Sequence, residues 1–61
     1  MYYFAQDKNT DEVYRCDKKK LVGDLAREKD IDREEAEKIL DKSNIENPVD
    51  MNDVVVWAEH D

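Results

Sequence analysis

The chain has few of the residues on which catalysis and metal binding usually depend. It contains one cysteine, one histidine, one glycine and one proline among 61 residues. A single cysteine cannot form an internal disulfide, so a reducing compartment suits the protein. The longest apolar run, VVVWA, has the length of a strand and is too short for a signal peptide or a membrane span. We therefore expect a cytoplasmic protein.

The same shortages argue against an enzyme and against a metal site. The only histidine, His60, has no second His or Cys near it in the sequence that could join it in holding a metal ion. The run DKNTDE begins like a calcium-binding loop, but Glu12 stands where that loop needs Gly and Lys18 where it needs Glu. One glycine is too few for a phosphate-binding loop. The prediction is a protein without enzymatic activity that needs no cofactor and no metal.

Charge is abundant and mostly of one sign. Seventeen Asp and Glu residues face ten Lys and Arg residues, which gives a net charge of −7. Residues 1–20 carry a net charge of +1, whereas residues 21–61 carry −8. Such a chain is repelled by nucleic acid and by anionic membranes, so its partners are expected to carry basic surfaces. Solubility alone is the simpler explanation of the same acidity.

Strand-like and helix-like patterns alternate along the chain. MYYFAQ and VYRC have the composition of short strands, and the turn-forming run DKNTDE between them predicts a hairpin. Residues 18–40 show the periodicity of a helix pair, and VVVWAE predicts a last strand. We predict a single small domain, residues 1–61, of the α+β class. Its expected order is β-β-α-α-β, with a three-stranded sheet and a helical hairpin packed on one face.

Alternation along the strands predicts which side chains point toward the helices. In VYRC it places Tyr14 and Cys16 inward and Arg15 outward. The first strand leaves two alternatives open for its inward side chains, Tyr2 with Phe4 or Tyr3 with Ala5.

The two helices have recognisable beginnings. Asp17 is a suitable N-cap for the first, and Asp32 with Glu35 resembles a capping box at the start of the second. Gly23 costs about 1 kcal/mol relative to Ala inside a helix, which predicts close approach of another backbone there. The expected buried stripes are Leu21, Val22, Leu25 and Ala26 in the first helix, and Ala36, Ile39 and Leu40 in the second.

The last third of the chain is harder to interpret. The run KSNIENPVDMND is predicted to be a loop, because Pro48 and several Asn and Asp residues interrupt it. Trp57 is expected to be the main core residue beneath the helices. The alternative is an exposed Trp57 that forms a binding surface with Tyr2 or Tyr3.

Residues 20–40 resemble two DNA-binding helix pairs. Leu25 and Ala26, the turn residue Ile31, and Ile39 with Leu40 match the apolar positions of the helix–turn–helix in small transcriptional regulators. KKKLV and EEAEKIL are similar to the N-terminal helices of HU-type chromosomal proteins, although no basic β-arm follows them here. These resemblances imply DNA binding through the second helix. The basic residues available for that role are Arg15, Lys18, Lys19 and Lys20.

The charge of the helix pair favours a different function. Carboxylates on its surface have the wrong sign for phosphate, and they suit a protein that docks on a basic, nucleic-acid-binding partner as a nucleic-acid mimic. In size and charge the chain is similar to small inhibitors encoded by phages and mobile elements. The expected partner-binding residues are Asp24, Glu28, Asp30, Asp32, Glu34, Glu35, Glu37 and Asp41. A homodimer that pairs through a sheet edge or an aromatic face is a further alternative.

Overall fold

The predicted β-hairpin at the start of the chain is present and forms one side of a larger sheet. The structure is a computed structural model that describes residues 1–60. All neighbouring strands are antiparallel, and the order across the sheet is β2-β1-β4-β3. The elements are β1 (Tyr2–Asp7), β2 (Val13–Cys16), α1 (Lys18–Lys29), α2 (Arg33–Lys42), β3 (Val49–Met51) and β4 (Val54–Glu59).

The sequence prediction is correct in class and wrong in strand number. The fold is α+β with two helices, and the last strand, β4, pairs with β1 near the centre of the sheet. The predicted loop KSNIENPVDMND, however, contains the fourth strand, β3. A two-residue turn connects Met51 to Val54, and Asn52 occupies the left-handed region there with φ of 71°. Asn tolerates this conformation, so the turn can form without glycine.

The hydrophobic core lies between one face of the sheet and the helices. Opposite residues on neighbouring antiparallel strands share a face, and Tyr3 lies opposite Ala58 while Ala5 lies opposite Val56. This settles the open alternative in β1 in favour of Tyr3 and Ala5. The helices contribute Leu25 and other buried residues to the same cluster. Its members are Tyr3, Ala5, Leu21, Val22, Leu25, Ala26, Ala36, Leu40, Val56 and Ala58.

Trp57 is buried but does not lie beneath the helices as expected. Alternation along β4 turns Trp57 away from the face shared by Val56 and Ala58. Its ring stacks on Phe4, with ring centroids 6.0 Å apart, and only 3% of the residue is exposed. The prediction of burial is confirmed, whereas the prediction of its place is wrong.

The outer strand β2 has the predicted orientation but not the predicted burial. Cys16 lies opposite Tyr3 and Tyr14 opposite Ala5, so both point to the helix side of the sheet. Cys16 is half-buried, but Tyr14 stays largely exposed because β2 is an outer strand.

The start of α1 follows the prediction more closely than the start of α2. Asp17 accepts a hydrogen bond from the backbone N–H of Lys20 and caps α1. Asp32 occupies the N-cap position of α2, yet its side chain accepts no capping hydrogen bond, so the predicted capping box is not formed. Neither helix among the described residues is long and apolar enough to cross a membrane.

A hydroxyl joins the end of α2 to the sheet. The buried Ser43 accepts a hydrogen bond from the backbone N–H of Ala58 at 3.1 Å and donates to the carbonyl of Leu40. Because a buried N–H without a partner is costly, this contact fixes where α2 ends relative to β4.

Candidate functional site

The helical hairpin is neutral as a whole, although its surface is highly charged. Residues 18–42 contain eight acidic and eight basic side chains. The excess negative charge of the chain lies instead in residues 43–61, which have five Asp and Glu residues and no Lys or Arg. An acidic surface on the hairpin therefore requires that the two signs be separated in space.

One group of charges on the hairpin is held together around Lys18. The Lys18 Nζ lies 3.0 Å from Oε2 of Glu37 and 3.8 Å from Oδ2 of Asp41. The buried Tyr3 hydroxyl donates a hydrogen bond to Oδ1 of Asp41 at 2.8 Å. Glu37, followed by the Tyr3 hydroxyl, raises the pKa of Lys18, while burial and then the hydrogen bond to Asp41 raise the pKa of Tyr3. These carboxylates thus connect α2 to α1 and β1.

The side chain of Arg33 extends away from the turn between the helices and along α1. Its guanidinium lies beside Gly23 of α1, and Nη2 donates a hydrogen bond to the carbonyl of Lys19 at 3.3 Å. A Cβ at Gly23 would come within 2.8 Å of Nη1 of Arg33. The group that approaches Gly23 closely is therefore the side chain of Arg33, and not another backbone as the sequence suggested.

Five carboxylates remain around the turn between the helices. Glu28 lies in the last turn of α1, Asp30 closes that helix with φ of 54°, and Asp32 precedes α2. Glu34 and Glu35 occupy the first turn of α2, where the positive end of the helix dipole favours acidic groups. All five are exposed, and within residues 1–60 none takes part in an ion pair. We call Glu28, Asp30, Asp32, Glu34 and Glu35 the turn carboxylates.

The eight sequence-predicted partner-binding residues therefore belong to different surroundings. Asp24 pairs with Arg27 one helical turn away. Glu37 and Asp41 bind Lys18, and Glu34 shares with Glu37 a groove beside the start of α1. Glu28 faces the β3–β4 hairpin across a shallow depression that it shares with Asp50. The turn carboxylates are the subset that is exposed and has no partner of opposite charge in the described chain.

The four basic residues of the DNA-binding alternative do not form one free surface either. Arg15 lies over the ring of Tyr2, 4.3 Å from its centroid, on the sheet face that the helices leave uncovered. Lys18 is bound by Glu37 and Asp41. Lys19 and Lys20 are exposed in the first turn of α1.

The described residues offer little for chemistry. Within residues 1–60 no group of three His, Cys, Asp or Glu side chains is arranged to hold a metal ion. Cys16 lines a cavity of about 280 Å³ together with apolar residues and the charged residues Arg15, Asp17, Lys20 and Asp24. Burial raises the pKa of the Cys16 thiol, which favours its unreactive protonated form.

The sheet face opposite the helices is a second surface, which the sequence predicted only as the alternative place of Trp57. It carries the aromatic side chains of Tyr2, Phe4 and Trp57, with Arg15 over Tyr2. Alternation in VYRC predicted an outward Arg15, but only the register, which sets Phe4 opposite Arg15, places Phe4 on the same face.

Comparison of the chain with protein-family models, with curated proteins and with solved structures finds no match.

Proposed function

We propose that this protein is a non-enzymatic binding protein whose turn carboxylates dock on a basic surface of a partner protein. The observation that carries the proposal is the separation of charge at the hairpin turn. Residues 28–35 contain five carboxylates and two basic side chains, and one of the two, Arg33, is drawn back along α1 to the carbonyl of Lys19.

The position of the turn carboxylates supports fast and selective association. They sit on the ends of two helices that are fixed to each other by the contacts of Lys18 and by the shared core. Carboxylates held on a rigid support lose little conformational freedom when they bind, and a net charge of −7 attracts basic surfaces from a distance.

A nucleic-acid-binding protein is the partner class that fits this chemistry best. Its phosphate-binding groove is lined with Lys and Arg, and exposed carboxylates can occupy the places of phosphates there. The protein would then act as an inhibitor that competes with nucleic acid, in the manner of small acidic phage proteins that it resembles in size and charge.

The test is a charge reversal that leaves the Lys18 contacts intact. Glu34→Lys with Glu35→Lys changes two turn carboxylates, and Glu46→Lys with Glu59→Lys makes the same change of charge outside the hairpin. Both variants move the net charge from −7 to −3, because each replacement adds two positive charges. Circular dichroism should show that both remain folded, since all four glutamates are exposed.

The readout is capture of nucleic-acid-binding proteins from a lysate, with and without excess DNA duplex as competitor. We expect the wild type and the Glu46/Glu59 variant to retain the same proteins, the duplex to release them, and the Glu34/Glu35 variant to lose them. Equal retention by both variants would remove the turn carboxylates from the function. Direct binding of the wild type to a duplex at about 50 mM salt would favour the helix–turn–helix alternative, because phosphate contacts are strongest at low salt.

Self-association through the sheet is compatible with this function. The turn carboxylates belong to the helices, so two copies that pair along the sheet leave these groups available to a partner.

A further inference from the structure

The two outer strands of the sheet are protected to different degrees. β3 has three residues, and its middle residue, Asp50, binds Lys8 with Oδ1 2.8 Å from Nζ. Short length and charge are common ways in which proteins prevent an edge strand from pairing with another chain. β2 is nearly as short, with four residues, but it has neither a proline nor a lysine, and its one charged side chain, Arg15, is held over the ring of Tyr2.

Exposed apolar side chains are concentrated at the β2 side of the sheet. Five large apolar residues are exposed in the described chain, and four of them lie in β2, at the start of β1 or just before it. The fifth, Ile45, lies in the loop after α2 and is 62% exposed. The four residues and their exposed fractions are Met1 at 49%, Tyr2 at 42%, Val13 at 50% and Tyr14 at 46%.

The distribution of charge indicates what can approach this edge. β2 itself carries a single charge, Arg15, with the acidic Glu12 just before the strand and Asp17 just after it, whereas residues 43–61 carry −5 and have no basic residue. Residues 43–61 repel a second copy of this chain, whereas charges of both signs lie at β2. An unpaired edge with apolar side chains and almost no net charge is suited to pairing with itself.

We propose that β2 pairs with β2 of a second copy to form a closed antiparallel dimer. The dimer would contain one eight-stranded sheet with all four helices on the same face. This follows because a twofold axis perpendicular to the sheet keeps each side chain on its own face. Opposite residues must then come from the same face, so the centre of the pairing is a residue opposite its own copy.

Side-chain chemistry selects Tyr14 as that centre. With Tyr14 opposite Tyr14, Val13 lies opposite Arg15 of the second copy. Centring on Arg15 would place two guanidinium groups directly opposite each other, which is destabilising. The Tyr14-centred arrangement therefore pairs two exposed aromatic rings and does not place the two Arg15 side chains directly opposite each other.

The first experiment measures molecular mass by light scattering from about 10 μM to 1 mM protein. We expect the wild type to move from the mass of one chain toward that of two, and more readily as salt screens the repulsion between two acidic chains. Tyr14→Lys should weaken the dimer at least tenfold. Ile45→Lys makes the same change of charge at an exposed apolar residue away from β2, so it should leave the dimer unchanged.

The second experiment tests the register directly. Cα atoms of opposite residues in antiparallel strands lie about 4.5–5.5 Å apart, which a disulfide can bridge. In a Cys16→Ser background, Tyr14→Cys should therefore form an intermolecular disulfide rapidly on mild oxidation, and Ile45→Cys should not.

Three results would overturn the proposal. They are a single-chain mass throughout the concentration range, masses that grow beyond two chains, and equal cross-linking of the Tyr14→Cys and Ile45→Cys variants. The cross-linking result is decisive even where Tyr14→Lys does not fold, because it measures the pairing without adding a charge to the edge.

Discussion

The two faces of the sheet bury side chains of different kinds. The face under the helices carries small or slender residues at its centre, Ala5, Val56 and Ala58, each at most 2% exposed. The opposite face carries the large ring of Trp57 stacked on Phe4. Small residues allow the helices to approach the sheet closely, whereas a bulky ring can be accommodated where no helix covers the strand. The centre of the helix-covered face is therefore lined by smaller side chains than the centre of the opposite face.

The faces should also differ in how much stability they supply. Helix-side residues pack between two layers, so removing one leaves a cavity that the surroundings can fill only in part. Trp57 is buried too, but its indole Nε1 has no hydrogen-bond partner among the described residues. A buried N–H without a partner lowers the net benefit of that burial.

On the helix side, a large effect is expected from Leu40→Ala. Leu40 is fully buried in α2, and truncation of such a residue typically costs about 2–5 kcal/mol of unfolding free energy. A domain of this length has roughly 3–9 kcal/mol in total, so the variant should be close to unfolding at 25 °C. Urea titration followed by circular dichroism measures the loss.

A matched substitution in the loop serves as the control for Leu40→Ala. Ile45→Ala removes a similar side chain that is 62% exposed, and its cost should stay within about 0.5 kcal/mol. A loss below about 1 kcal/mol for Leu40→Ala would show instead that the surroundings of a helix-side residue can fill the cavity that it leaves.

The second effect concerns the opposite face and is smaller. Trp57→Phe removes part of a buried ring and also removes the N–H that has no partner. The loss of packing and the relief of about 1–3 kcal/mol from an unsatisfied group act in opposite directions. We expect a net change of about 1 kcal/mol or less, measured by the same urea titration.

Comparison with Trp57→Ala distinguishes the two contributions. That variant also removes the N–H but leaves a cavity, so it should cost about 3–5 kcal/mol. If Trp57→Phe is as destabilising as Trp57→Ala, the indole N–H makes a hydrogen bond in solution and the account of this face is wrong.

Most of the fold was predictable because its elements have strong local signals. The hairpin turn DKNTDE, the N-cap Asp17 and the β-branched run in β4 each act within a few residues. β3 was missed because three residues are too short for an alternation pattern, and Pro48 before it suggested a loop. The turn at Asn52 and Asp53 was the remaining signal for a hairpin.

The face occupied by Trp57 was not predictable, because it depends on register. Once Phe4 is known to lie opposite Trp57, and Tyr3 to face the helices, the place of the indole follows. The sequence alone left the orientation of β1 open, and no local pattern in VVVWAE distinguishes its two faces.

The candidate site was predictable as a set of residues but not as a surface. Glu37 and Asp41 looked free in the sequence, yet both bind Lys18, which lies about twenty residues earlier. Such pairing depends on how α2 is rotated against α1, and this rotation is set by packing of the whole core. The turn carboxylates, in contrast, owe their exposure to a local feature, the turn itself.

The smallest effect is expected at the rim of the uncovered face, where Asp50 meets Lys8. The hydrogen bond from Lys8, followed by that from the Asn52 backbone N–H, lowers the pKa of Asp50 below its ordinary value of 3.8. A carboxyl whose pKa is lower in the folded state stabilises the fold above its unfolded pKa. That contribution is lost as the pH falls from about 4 through the lowered pKa.

Lys8→Met should therefore raise the pKa of Asp50 toward 3.8, as followed by its carboxyl resonance in an NMR titration. The unfolding midpoint at pH 7 should move little, because both side chains are well exposed and solvent screens the pair. Lys42→Met removes an equal charge from α2 and should leave the pKa of Asp50 unchanged. A loss of stability comparable to that of Leu40→Ala would show instead that the rim of the uncovered face supports the fold as strongly as the core beneath the helices.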